Sequence, residues 1–253
     1  VLDIRDITVR FGGVRPLEDV SFCFEPGVNG LVGPNGAGKT TMLNVLSGFV
    51  RPAAGSVVAG GTNLLALAPH RRARWGLRRT FQQEQVIHAL SGYDNLRLAA
   101  DHLGGGPAEV QRVLEILELD RPERKATALS MLERRLVEIG KTIVGRPRVV
   151  LLDEPGAGLA ESDSARLVPL IRRIAAEHRS CVVLVDHDMD LVAAVCQRIG
   201  VLDFGRRIAF GPTAEVLADP VVKRAYLGTE EVTVDGPAAG GPAAADPAIG
   251  GTG

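Results

Sequence analysis

Cysteine is scarce in this chain: three in 253 residues, at positions 23, 181 and 196. No two of them form a C-x-x-C pair, so a cysteine-based metal site is not expected. Each stands among apolar neighbours and reads as a buried thiol in a reducing compartment. An excess of charge of either sign is also missing. Lys plus Arg total 29 against 30 for Asp plus Glu, a net charge of −1, which excludes bulk attraction to nucleic acid or to an anionic membrane. No apolar run approaches the ~20 residues of a membrane span, and the first residues carry no secretory pattern. The chain opens on Val1, which reads as a processed or trimmed start.

What is present is the composition of a soluble globular protein, 45% hydrophobic and 23% charged residues, long enough to bury a sizeable core. Against that background one stretch stands out. Gly33, Pro34, Asn35, Gly36, Ala37, Gly38, Lys39, Thr40 and Thr41 satisfy the phosphate-binding pattern G-x-x-x-x-G-K-(S/T). Glycines let such a loop curl until its backbone N–H groups face a polyphosphate. A helix starting near Lys39 adds the positive end of its dipole. The lysine can reach β- and γ-phosphates, and Thr40 can ligate Mg²⁺. The flanks agree: Val28, Leu31 and Val32 precede the loop, and Met42, Leu43, Val45 and Leu46 follow at helical spacing. The chain is therefore expected to bind a nucleoside triphosphate.

Alternation at Leu2, Ile4, Ile7, Val9 and Phe11, and again at Val20, Phe22 and Phe24, predicts early antiparallel strands. Residues 56–60 suit another short strand. From about 70 to 145 the pattern is helical, with Val110, Val113, Leu114 and Leu117 and then Leu132, Leu136, Ile139 and Ile143 in register. Gly104, Gly105, Gly106 and Pro107 break the chain between helices. Two continuous apolar runs, at 149–152 and 181–185, suit strands buried on both faces of a parallel sheet. Leu167, Leu170, Ile171 and Ile174 predict a helix between them, and 198–210 a hairpin around Phe204 and Gly205. The Gly/Ala/Pro-rich end at 229–253 is expected to be disordered.

The run at 149–152 delivers Asp153 and Glu154 at its carboxyl end, where ligands bind in open α/β sheets. Asp153 suits Mg²⁺, and Glu154 a general base that polarises the attacking water. His187 follows the next apolar run and could touch a γ-phosphate. Gln82 carries no signal by itself.

With these motifs the chain resembles the nucleotide-binding subunits of ABC transporters, over residues 1–228. The fold this implies is α/β: a P-loop NTPase core, an antiparallel β subdomain and a short helical subdomain at about 85–145. The loop at 33–41 resembles the Walker A motif and the strand into Asp153 and Glu154 the Walker B motif. Gln82 resembles the Q-loop glutamine, which with Thr40 and Asp153 organises Mg²⁺. His187 resembles the switch histidine, and Phe11 the aromatic that meets adenine. Gly156 to Ala160 takes the place of the D-loop, with Ala160 where Asp or Asn is usual. Phe11-Gly12-Gly13, Arg79-Thr80-Phe81-Gln82, Asp186-His187-Asp188-Met189 and the ending Ala225-Tyr226-Leu227-Gly228 are most like the importers of branched-chain amino acids. Lipopolysaccharide exporters share part of that ending.

The resemblance implies ATP hydrolysis with Mg²⁺ at the cytoplasmic face of the membrane. Its partners would be integral membrane permease subunits, a second ATPase subunit and, indirectly, a periplasmic solute-binding protein. Lipid or lipopolysaccharide export is the alternative, and a soluble relative acting on ribosomes or DNA a third reading. The family's Leu-Ser-x-Gly-Gln signature, which holds the γ-phosphate of a partner's ATP, is here Leu129, Ser130, Met131, Leu132, Glu133. Leu132 is expected to put a branched side chain where glycine allowed close approach. Glu133 is expected to set a carboxylate near a triphosphate. Ser130 and Glu133 also spell a capping box, which preserves the helix start. Two unequal ATP sites in a heterodimer are expected. The cluster Arg71, Arg72, Arg74, Arg78 and Arg79 around Trp75 reads as a solvated helix face rather than a nucleic-acid site, with some arginines facing a membrane subunit.

Overall fold

The computed structural model describes residues 1–103 and 105–227; the predicted disordered tail at 229–253 lies outside them. β1 (Leu2–Phe11) and β2 (Val14–Phe24) form the expected antiparallel pair. β3 (Gly27–Val32) runs into the phosphate loop and α1 (Lys39–Ser47). β4 (Ala54–Ala59) and β5 (Thr62–Asn63) then complete a sheet of order β2-β1-β4-β5 among the described residues. The chain continues through α2 (Pro69–Trp75) and β6 (Leu77–Arg79) to three helices, α3 (Gly92–Leu103), α4 (Pro107–Leu117) and α5 (Met131–Ile143). It returns through β7 (Val149–Asp153), α6 (Glu161–His178), β8 (Cys181–Val185) and α7 (Met189–Val195). β9 (Arg198–Asp203) and β10 (Arg206–Pro212) form the predicted hairpin, and α8 (Thr213–Ala218) and α9 (Pro220–Leu227) close the described chain.

The second sheet has the order β10-β9-β3-β8-β7-β6 among the described residues. β9, β3, β8, β7 and β6 are parallel, with β10 antiparallel at one edge. The apolar runs in β7 and β8 are explained by cover on both faces. Val150, Leu152, Val182 and Leu184 face the layer containing α4, α5 and α6. Val149, Leu151, Val183 and Val185 face the layer containing α1 and the first sheet. Burying each such side chain contributes on the order of 2 kcal/mol. Where the sheets meet, Phe22 and Phe24 stack with ring centroids 5.3 Å apart, and Phe210 packs edge to face on both at 5.6 and 5.8 Å. A Cβ on Gly200 would collide with Phe22, so glycine is what lets that ring lie on β9.

The structure corrects three expectations. The helical reading of 70–145 is interrupted by β6, which pairs in parallel with β7; three residues are too few to show a period. Cys23 is exposed, whereas Cys181 and Cys196 are buried and burial pushes their thiols up to about 12. Its place on β2, a strand of the outer sheet with one face toward solvent, puts Cys23 outside the core. The arginine cluster is not a solvated face. Arg71 and Arg74 are exposed, but Arg72 is buried and donates to Val45 O and Leu46 O at the end of α1. Arg78 is buried too, and donates to Ala73 O and Val144 O near the ends of α2 and α5. These cations satisfy carbonyls that a helix end leaves unpaired.

Candidate active site

Parallel pairing brings the carboxyl ends of β3, β8 and β7 to one edge. Gly30 lies opposite Leu184, and Asp153 opposite Val185. The phosphate loop, the Asp153–Glu154 pair and His187 leave the sheet there, while Gln82 follows β6, Phe11 ends β1 of the other sheet and the stretch at 129–133 starts α5.

The loop after β3 needs its glycines. Gly33 (φ 150°) packs so close to Leu202 O that no side chain fits, and at Gly38 (φ 105°) a Cβ would collide with Pro16 O. Gly38 is the N-cap of α1 and supplies no side-chain cap, and the first turn holds no acidic residue. The helix start is thus left for an external anion. From behind, Gly205 N–H donates to Ala37 O at 3.1 Å. Lys39 Nζ donates to Gly33 O at 2.6 Å and Pro34 O at 2.8 Å. Burial lowers its pKa, while Glu154 and Asp153 oppose the shift by attracting the cation. Asn35, Gly36 and Thr40 are exposed, Thr41 half-buried, and Phe11 stands 54% exposed at the turn between β1 and β2.

Asp153 ends β7 and is buried. Its N–H donates to Thr80 Oγ1 at 2.9 Å, and its Oδ2 accepts from Arg79 Nη2 at 2.7 Å. Oδ1 is buried with no hydrogen-bond partner among the described residues. An orphaned carboxylate oxygen is unfavourable unless an ion completes it. A hard oxygen donor of this kind, near Lys39 and the loop, fits Mg²⁺. Glu154 follows in a left-handed conformation (φ 49°), its N–H donating to Val185 O at 2.7 Å. Gln82 Nε2 donates to Glu154 Oε1 at 3.2 Å, so two predicted site residues 72 positions apart meet.

His187 is oriented by a residue whose role the sequence reading left unassigned. The Asp186 carboxylate is fully buried. Its Oδ1 accepts from the N–H groups of His187 at 2.8 Å and Asp188 at 3.0 Å, and its Oδ2 from Gly156 N–H at 3.2 Å. One carboxylate therefore fastens the segment after β8 to the segment after β7. The imidazole itself is 70% exposed, with Nδ1 3.6 Å from Asp186 Oδ1. Arg79 and Asn44 were likewise missed, because an ion pair across 74 positions leaves no local pattern.

The stretch at 129–133 forms the start of α5. Ser130 Oγ accepts from Glu133 N–H at 3.1 Å, and Ser130 N–H donates to Glu133 Oε2 at 2.6 Å, the predicted capping box. Leu132 differs from expectation. Its side chain is only 3% exposed and packs in the helical core, so it presents no outward wall; Met131 is the exposed apolar residue. Glu133 is held rather than free, also 3.4 Å from Arg124. Ala160 sits at the N-cap of α6 with no side chain to cap it. A cavity of about 420 Å³ opens beside the Gln82 segment, lined by Phe49, Leu77, Phe81, Glu138, Lys141 and Thr142. Phe49 and Phe81 pack edge to face there at 5.9 Å, and burial raises the pKa of Glu138.

The family model described as ABC transporter matches residues 17–157, and that of the branched-chain amino acid ATP-binding cassette transporter matches residues 206–232. The chain is 33% identical over 249 residues to the high-affinity branched-chain amino acid transport ATP-binding protein BraF of Pseudomonas aeruginosa, covering 90% of this chain and 98% of that one. It is 34% identical over 250 residues, with the same coverage, to LivG of Salmonella typhimurium. It is 35% identical over 240 residues, again with 90% and 98% coverage, to the lipopolysaccharide export ATP-binding protein LptB of Escherichia coli. Among solved structures, the ADP conformation of MJ1267, an ATP-binding cassette of an ABC transporter, superposes with a TM-score of 0.81 at 28% identity, covering 90% of this chain and 98% of that one.

Proposed function

The chain belongs to the ATP-hydrolysing subunits of ABC transporters, and from that premise we propose that it powers uptake of branched-chain amino acids or a similar small solute. Overall identity does not separate the importers from the exporter, since BraF and LptB stand at 33% and 35%. The observation that carries the reading is the C-terminal segment at 206–232, which matches the branched-chain family model. Lipopolysaccharide export is the second reading, favoured by the likeness to LptB.

In the proposed mechanism the loop amides and Lys39 hold the phosphates, and Phe11 meets the base. Thr40, Asp153 and Gln82 would hold Mg²⁺, whose contribution is to neutralise phosphate charge. Glu154 takes a proton from the attacking water, and His187 contacts the γ-phosphate. Gln82, bonded to Glu154, ties this chemistry to the groove lined by Phe49 and Phe81. We assign that groove to a helix of a permease subunit at the cytoplasmic face. Exposed aromatic surface there, in a chain with seven phenylalanines, supports the assignment. No helix of the described residues is long and apolar enough to cross a membrane.

The two ATP sites of the assembly are proposed to be unequal. The support is Glu133, whose carboxylate already accepts the Ser130 N–H that a partner's γ-phosphate would need. Closure against a second cassette would have to displace a charge-assisted bond and leave two anions facing. A second subunit with an intact signature would instead complete this chain's own loop. The test is phosphate release by the purified chain alone and with permease subunits plus a second cassette. Low turnover alone and at least about tenfold more in the complex is expected. Equal turnover in both would overturn the asymmetric reading, and failure to co-purify with any permease would overturn the transport reading.

A further inference from the structure

Arg79 is a buried cation that the mechanism above does not use. It closes β6, and its parallel pairing with Leu151 sets it beside the end of β7. Its guanidinium touches three segments. Nη2 donates to Asp153 Oδ2 at 2.7 Å, Nη1 donates to Asn44 Oδ1 of α1 at 2.7 Å, and the Phe81 ring centroid lies 5.1 Å from the cation. The Arg79 and Asp153 side chains are 5% and 1% exposed. Desolvation offsets most of the attraction in such a pair, so stability alone does not account for it.

The geometry suggests what it does. Asp153 has one oxygen pinned by Arg79 and one, Oδ1, buried without a partner. Asn44 lies four residues after Thr40 on α1, one helical turn along the same face. The planar fork of arginine spans both groups at once, which a lysine cannot do. We propose that Arg79 is a positioning residue for the metal, clamping Asp153 to α1 so that Oδ1 and the Thr40 hydroxyl keep a fixed spacing for Mg²⁺ arriving with the nucleotide. The proposal rests on the reading of Asp153 and Thr40 as magnesium ligands. Through Phe81 the clamp also adjoins the Gln82 segment, so the third magnesium residue is built on the same joint.

The test is equilibrium binding of a fluorescent ATP analogue to the full chain, in Mg²⁺ and in EDTA, with the ratio of the two affinities as the readout. Arg79→Met should lower that ratio about tenfold, the usual cost of losing a group that orients a metal ligand. The affinity in EDTA should not change, because the loop amides and Lys39 are untouched. Arg79→Lys, which keeps the buried charge, and Asn44→Ala, which removes one arm and leaves the ion pair, should also lower the ratio. These two decide the matter if Arg79→Met does not fold. Asp153→Asn is the control. Were it to leave the ratio intact, the magnesium reading of Asp153 would fail and the proposal with it. Should Asp153→Asn collapse the ratio while folded Arg79→Lys and Asn44→Ala keep the wild-type value, Arg79 has no positioning role although Asp153 does. An equal loss in Mg²⁺ and in EDTA would mark a structural role and also overturn the proposal.

Discussion

Glu154 holds a left-handed backbone conformation that non-glycine residues rarely adopt, and it does so where β7 hands over to the site. Such strain costs on the order of 1 kcal/mol and persists only where surrounding bonds enforce it. Here the N–H bond to Val185 O does so, and turns the carboxylate toward Gln82. If Glu154 takes the proton of the attacking water, Glu154→Gln keeps shape and the Gln82 contact but loses the base. Phosphate release should fall by at least about a hundredfold, with nucleotide affinity unchanged by equilibrium binding. Asp153 and Glu154 were legible as a pair because an apolar run ended on two acids. Asp186 and Arg79 were not legible in these roles: an aspartate that accepts from the next two N–H groups looks like any aspartate in a turn, and its bond to Gly156, 30 positions away, leaves no local pattern.

At the scale of elements, α5 shows how one residue can be read in two ways. Leu132 belongs to the stripe Leu132, Leu136, Ile139 and Ile143, and the same residue stands where the family signature has glycine. Helical spacing puts it inward and motif alignment puts it at the surface; burial at 3% exposure decides for the stripe. Restoring the family residue is then not neutral. Leu132→Gly should destabilise the chain by roughly 3–5 kcal/mol, from the cavity plus the cost of glycine inside a helix, as measured by urea unfolding. An unchanged midpoint would place Leu132 outside the core. β6 was illegible for the opposite reason: three residues carry no period, and only pairing with β7 makes them a strand.

Across the whole molecule, α4, α6 and the chain leaving α5 meet at a polar junction. Arg112 of α4 is bidentate to Glu109 at 2.6 and 3.0 Å, and Glu109 accepts from Gly145 N–H at 2.6 Å. Arg112 Nη1 lies 3.2 Å from His178 Nε2. That nitrogen must accept, so the proton sits on Nδ1, which is buried without a partner among the described residues. Burial, reinforced by the Arg112 cation, pushes His178 down from 6.5 to about 4. Between those values the unfolded chain binds a proton that the folded chain does not. Stability contributed here is therefore full above pH 6.5 and is lost as pH falls toward about 4. Discounted for partial exposure, the loss is on the order of 1 kcal/mol. Urea unfolding of wild type against His178→Gln over this window should show a flatter pH slope in the variant; parallel slopes would show that His178 is not the titrating group.

The phosphate loop, the buried central strands and the capping box could all be deduced from the chain alone. Each leaves a pattern within a few consecutive residues: glycines where backbone must curl, unbroken apolar runs where both faces are covered, Ser130 and Glu133 three residues apart. Tertiary structure alone decided which charges neutralise which. It turned Arg72 and Arg78 of an apparent surface cluster into helix caps and paired Arg79 with Asp153, put Leu132 in the core, and joined Gln82 to Glu154. Those contacts span tens of residues and depend on the order of strands in the sheet. Strand order is set by the packing of whole layers, which no local pattern of residues records.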